Sequence, residues 1–264
     1  MKRIIFCGIF CLVVTLIIYC YLFIRWKPLW ELEAPRLVYP IQHHDDDTLR
    51  VIMIGDSWIE MHTNMQMDTL LQRQISKMTS RNIKLKSKGK GGKRSRGIYD
   101  LMFKKDQYGT KPLIVSGADY CVVSAGINDA SANLGTHQFC YYMKLIISFL
   151  VSNGIRPIII ETPDVNIWKL FGERPCKSIV MDYFRSLMTG CSIYHYSEYR
   201  EALHNMLIST QLMDSVIYVN MYGWNGEGTD INVNLFLDDE IHLNQKGYAL
   251  LDSCIASAIA ADLR

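Results

Sequence analysis

Short, wholly apolar runs alternate along this chain with stretches in which apolar residues recur every three or four positions. The runs RVIMI (50–54), NIKLKS (82–87), DYCVVSA (119–125), PIIIE (157–161) and SVIYVN (215–220) read as strands. Helical patterns lie at 58–78, 97–105, 135–153, 177–189, 196–209 and 244–262, with an irregular segment after the fourth run. Strands this apolar have no solvent face. Their alternation with amphipathic helices predicts a parallel sheet covered on both sides, a three-layer α/β/α domain. In such sheets the chemistry collects where the strands end.

The N-terminal pattern is different. Residues 4–24, IIFCGIFCLVVTLIIYCYLFI, carry no charge and would span roughly 30 Å as a helix, the thickness of a bilayer core. The run is longer than a signal-peptide core and ends in bulky residues, which predicts an uncleaved transmembrane signal anchor. Lys2 and Arg3 on one side balance Arg25 and Lys27 on the other, so charge sets no orientation, and the expected face for the domain is the usual one outside the cytoplasm. The organisation expected is therefore an anchor over 1–27, a linker over 28–49 and one domain over 50–264. The linker holds Pro28, Pro35, Pro40 and the polar HHDDDT stretch, where His43, His44 and Asp45 to Asp47 read as a solvated tether rather than a metal site.

Composition narrows the class only a little. Half of the 264 residues are apolar and the formal net charge is +2, which is globular and gives no global nucleic-acid signal. The eight cysteines include no CxxC pair, so no structural zinc is expected, although Cys176 and Cys191 could pair outside the cytoplasm.

Candidate chemistry begins with VIMIGDSWIE (51–60), where a strand stops at Gly-Asp-Ser-Trp. Ser57 would sit at the start of a helix, its amide in the field that favours a developing anion. Asp56 and Ser57 are also good helix caps, so the motif alone is weak. A nucleophilic serine needs a base and the base an orienting group. Of seven histidines, His242 alone follows a carboxylate at short spacing in a loop before the last helix, in DDEIHLNQKGY. Asp239 is the candidate orienter, with Asp238 and Glu240 left open by spacing. His137, His195 and His204 read as packing or surface residues, and His62 as an exposed helix position. Asn128 in SAGIND and the glycines of KGKGGKRS could supply hydrogen-bond donors to an oxyanion.

Together, GDS at 55–57, the glycine block at 89–92, GIND at 126–129 and DEIH with LNQKGY at 239–248 resemble the SGNH (GDSL-type) hydrolases, in that family's order and across 50–262. The resemblance implies a flavodoxin-like five-stranded sheet, Ser57 as nucleophile, His242 as base and Asp239 as its orienter. It also implies an oxyanion hole made by the amides of Ser57 and Gly92 and by Asn128, with Gly91 or Gly89 as other choices, and no metal or cofactor. Trp58 stands where the family usually has leucine or isoleucine, and is expected to touch substrate.

Block two is strongly basic: Lys84, Lys86, Lys88, Lys90, Lys93, Arg94 and Arg96 fall within thirteen residues that contain no acid. The plain reading is a solvated loop. The functional one is that Lys93, Arg94 and Arg96 steer an anionic ester, such as an acidic polysaccharide, towards the oxyanion hole. It fails as a P-loop because Arg94 follows Gly92-Lys93. The expected function is an esterase removing acyl groups, plausibly acetyl, from a carbohydrate through an acyl-enzyme on Ser57. The alternatives are an O-acyltransferase using the same site and a non-catalytic, membrane-anchored module binding anionic glycan or lipid. Nucleic acid is not an expected partner, because no aromatics are interleaved with the basic run.

Overall fold

The computed structural model describes residues 2–26, 31–163, 165, 175–221, 224 and 233–264. Part of the expected linker and most of the irregular segment after the fourth strand lie outside these residues. The chain divides into two compact units, Met1–Arg36 and Leu37–Arg264.

The first unit is a helix, α1, over Lys2–Trp26. Its helicity meets the expectation for this stretch. Among the described residues no helix is long and apolar enough to cross a membrane.

The second unit is built on five parallel strands: β1 Leu49–Gly55, β2 Ile83–Gly89, β3 Tyr120–Ser124, β4 Arg156–Ile160 and β5 Ile217–Val219. Their order is β2-β1-β3-β4-β5, the flavodoxin-like arrangement expected. Every residue of β1 and β3 is buried, as wholly apolar strands flanked on both faces must be. The helices are α2 Ser57–Asn64, α3 Met67–Thr79, α4 Ser95–Leu101, α5 Lys111–Val115, α6 Ile127–Ser131, α7 Thr136–Ser152, α8 Cys176–Thr189, α9 Tyr196–Ser209 and α10 Gln245–Asp262. Helix α3 packs against α2 and α10, and α7 against α4 and α9, which gives the two outer layers.

Three expectations change in detail. The single helix expected over 58–78 is broken into α2 and α3, because Gln66 turns left-handed at φ 59°. Cys176 and Cys191 are free thiols rather than a disulfide, Cys176 exposed and Cys191 buried. The compact unit starts at Leu37, thirteen positions before the expected boundary at 50, because the preceding segment packs on it. Tyr39 is buried with its hydroxyl on the Met102 carbonyl at 2.7 Å, and Asp46 pairs with Arg50 at 2.6 Å. Among the described residues no group of His, Cys, Asp and Glu is placed to hold a metal ion.

The break between α2 and α3 has a chemical partner. His62, expected at the surface, is fully buried in the last turn of α2. Its Nδ1 meets Asp68 Oδ1 and its Nε2 meets Asp252 Oδ1, each at 2.8 Å, so one imidazole joins α2, α3 and α10. Burial alone would lower its pKa, but the two carboxylates outweigh this and hold it up to about 9. A group raised in the folded state stabilises fully below its unfolded pKa and loses that contribution as pH rises through the folded one. Stability measured by urea unfolding is therefore expected to be steady in this respect below about pH 6.5 and to decline progressively from there until pH reaches about 9. In His62→Ala, which strands the buried carboxylates, the loss is about 3–5 kcal/mol and the alkaline decline flattens.

Candidate active site

The carboxyl end of β1 makes the turn on which the site is built. Asp56 is the N-cap of α2, its Oδ1 accepting from the Trp58 amide at 3.1 Å, and Ser57 is the first helical residue. Asp56 is thus the local cap residue that the sequence suggests. Its carboxylate is buried and also takes a hydrogen bond from Ser124 Oγ at 3.2 Å. Burial dominates its titration and pushes it up to about 7, against the hydrogen bonds that lower it.

Ser57 Oγ lies 2.9 Å from His242 Nε2, and His242 Nδ1 lies 2.6 Å from Asp239 Oδ2. These two residues are separated from Ser57 by more than 180 positions and meet it because the loop before α10 folds back over the end of β1. The loop is shaped by Asp239 itself: its Oδ1 accepts from the backbone amides of Ile241 and His242, both at 2.9 Å. One carboxylate therefore holds both the backbone and the ring of the histidine. Although burial would raise the Asp239 pKa, the His242 ring and these amides hold it below the usual carboxylate range. An ionised Asp239 accepts the Nδ1 proton, which leaves Nε2 as the acceptor facing the serine hydroxyl. Asp238 and Glu240, the other orienters left open by spacing, do not take that place.

The candidate donors come from the start of α2, the glycine block and the end of β3. Among the described residues, neither the Ser57 amide nor the Gly92 amide is given to a protein acceptor. Gly91, by contrast, commits its amide to Glu60 Oε2 at 2.7 Å, and Gly89 is the point of closest approach between β2 and α2. A Cβ on Gly89 would stand 2.2 Å from the Glu60 nitrogen, so only glycine fits. Gly92 sits at φ 70° in open space, with nothing within 4 Å of where a Cβ would be. Its amide, unlike that of Gly91, has no protein acceptor among the described residues. Asn128 gives its side-chain amide to the Lys93 carbonyl at 3.0 Å, with a longer contact of 3.4 Å to Asp56 Oδ2. It thereby ties the glycine block to the end of β3. Asp129, buried, adds a second tie by accepting from the Ser95 amide and hydroxyl at 2.9 and 2.7 Å. That tie was legible only as the last letter of GIND.

Trp58 is the main correction. It is 1% exposed and cannot line a substrate site. Its indole Nε1 donates to the Ile241 carbonyl at 3.1 Å, while Tyr248 Oη donates to the Trp58 carbonyl at 2.8 Å. The residue after the serine thus braces the peptide just before His242, and a leucine could not make that bond. Lys93 is half-buried, Arg94 is exposed, and Arg96 stacks over the Tyr142 ring at 5.8 Å.

The GDSL-like lipase/acylhydrolase family model matches residues 53–250. Among solved structures, a lipase/acylhydrolase from Enterococcus faecalis superposes with TM-score 0.58 at 16% identity, covering 81% of this chain and 96% of that one. A putative acylhydrolase from Bacteroides fragilis gives 0.56 at 19%, covering 85% and 92%. The acetyl xylan esterase AlAXEase gives 0.57 at 17%, covering 80% and 100%. At these identities the likeness is one of fold. No curated protein matches the sequence.

Trp58→Phe keeps the bulk and removes the indole donor. It is expected to lower kcat on a chromogenic ester about fivefold with KM unchanged, the ~1 kcal/mol of one neutral hydrogen bond. Steady-state kinetics at several ester concentrations separates the two constants, and a change confined to KM would return Trp58 to the substrate side.

Proposed function

We propose that this chain, which belongs to the GDSL-like lipase/acylhydrolase family and hydrolyses ester bonds, is a serine esterase that removes acetyl groups from a carbohydrate. The observation that carries the mechanism is the continuous hydrogen-bonded chain from Ser57 through His242 to Asp239. In this reading His242 takes the Ser57 proton as Oγ attacks the ester carbonyl, and Asp239 steadies the resulting imidazolium. The tetrahedral oxyanion is received by the Ser57 and Gly92 amides, both uncommitted in the resting site, and by Asn128 once it releases one of its present acceptors. His242 then returns its proton to the departing alcohol. Water, activated by the same base, hydrolyses the acyl-enzyme and regenerates Ser57.

The carbohydrate acetyl ester is the narrower part of the proposal. It is supported by the likeness in fold to an acetyl xylan esterase and by the cationic residues beside block two, which suit a polar substrate better than a lipid.

Ser57→Ala is expected to lower turnover of acetyl esters by at least about a thousandfold while leaving the fold intact. Asp239→Asn, which favours the wrong imidazole tautomer, should cost about 10⁴ in kcat. The decisive measurement is a panel of acetyl, butyryl and octanoyl esters, set beside acetylated polysaccharide, for wild type and both variants. Faster release from long-chain esters than from acetylated glycan would overturn the substrate assignment.

A further inference from the structure

Strand β2 lies at the edge of the sheet, and its lysines are arranged in a file. In the parallel register Lys84 pairs with Arg50, Lys86 with Ile52 and Lys88 with Ile54, so all three point to one face. The intervening residues point to the other: Ser87 hydrogen-bonds Thr63 and Asp68 on the α2 and α3 side. The file is about 13 Å long, at ~3.3 Å per residue, and runs towards the carboxyl end of the strand. There Gly89 pairs with Gly55, two residues before Ser57.

The charges in this region are not equivalent. Arg50 is neutralised by Asp46, and Lys90 lies 3.7 Å from Glu60. Among the described residues Lys84, Lys86 and Lys88 have no carboxylate within ion-pair distance. Lys84 and Lys86 also line a cleft of about 220 Å³ with Arg50, His44, Ser116 and Gly117. Its far wall is fixed: His44 Nε2 donates to the Ser116 carbonyl at 2.8 Å, and Gly117 adopts φ 79°. A Cβ there would fall 2.1 Å from the Gln42 carbonyl oxygen, so the backbones are in direct contact.

We infer that this cleft and lysine file form a subsite for an acidic polysaccharide, holding the chain while one of its esters is presented at Ser57. The inference rests on the proposed carbohydrate esterase reading and names the class of carbohydrate. A free anion would be held poorly, since the cleft is open and single exposed charges are screened in water. A polymer engages the file at several points at once, and its weak contacts add through one connected chain. The sugar-sized cleft anchors one acidic unit below, and the lysines lead the chain up the edge strand. Lysines on an edge strand also deter pairing with other chains. That role needs no cleft and no one-sided file ending at the nucleophile.

The test is binding by the full chain, measured by calorimetry with an unesterified polyuronate, a neutral polysaccharide, duplex DNA and vesicles containing anionic lipid. Polyuronate is expected to bind in a salt-sensitive manner. K84Q/K86Q/K88Q should weaken it at least about tenfold, with an unchanged melting temperature. Ser57→Ala should bind as wild type does, because the subsite does not use the serine. Should the triple variant misfold, Lys84→Gln and Lys86→Gln are measured singly, and each is expected to weaken binding about threefold. The inference is overturned if folded variants keep full polyuronate affinity, if neutral polysaccharide binds as tightly, or if DNA or vesicles bind more tightly through the same lysines. A wild-type enzyme that binds polyuronate but hydrolyses no ester in the panel would instead sink the esterase reading and leave the subsite standing.

Discussion

The carboxyl edge of the sheet is organised around the buried carboxylate of Asp56, which receives the Trp58 amide, the Ser124 hydroxyl and, more distantly, the Asn128 amide. The turn after β1 and the end of β3, nearly seventy positions apart, therefore meet on two oxygen atoms. A buried acid with fewer donors would be costly, and the raised titration of Asp56 records that burial. The arrangement fixes where β1 stops, where α2 begins, and how far the end of β3 stands from the serine. Asp239 plays the same organising part in the opposite wall, where it clamps two amides and an imidazole.

The candidates Ser57, Asp239 and His242 were legible because each stands in a short local pattern, although Ser57 and His242 are 185 positions apart. A serine at the end of an apolar strand and an aspartate three residues before a histidine need little tertiary information to be placed. The five strands were legible for the same reason: wholly apolar runs have one way to be buried. What could not be read were the residues whose role depends on what packs over them. Trp58 looks like a residue flanking the nucleophile at the surface until the loop at 239–243 closes on its indole. His62 looks polar and exposed until Asp252, 190 positions away, arrives beside it. The break between α2 and α3 was hidden too, because Gln66 carries no glycine or proline signal for its left-handed turn. The apolar N-terminal run was legible as a helix from its composition.

The choice among the glycines illustrates how partner bookkeeping decides a role. Gly89, Gly91 and Gly92 are equivalent as letters. In the fold Gly89 is held to glycine by close packing, the Gly91 amide goes to the Glu60 carboxylate, and the Gly92 amide has no protein acceptor among the described residues.

Helix α2 gathers several of these contacts on one short element. Its first residue is Ser57, its second braces the peptide before His242, and its fourth, Glu60, grips the loop that carries Gly92. Ser57, the support of the peptide before His242 and the Gly91 amide are thus all fastened to one two-turn rod, as well as to the sheet. A substitution that displaces this rod therefore disturbs all three together.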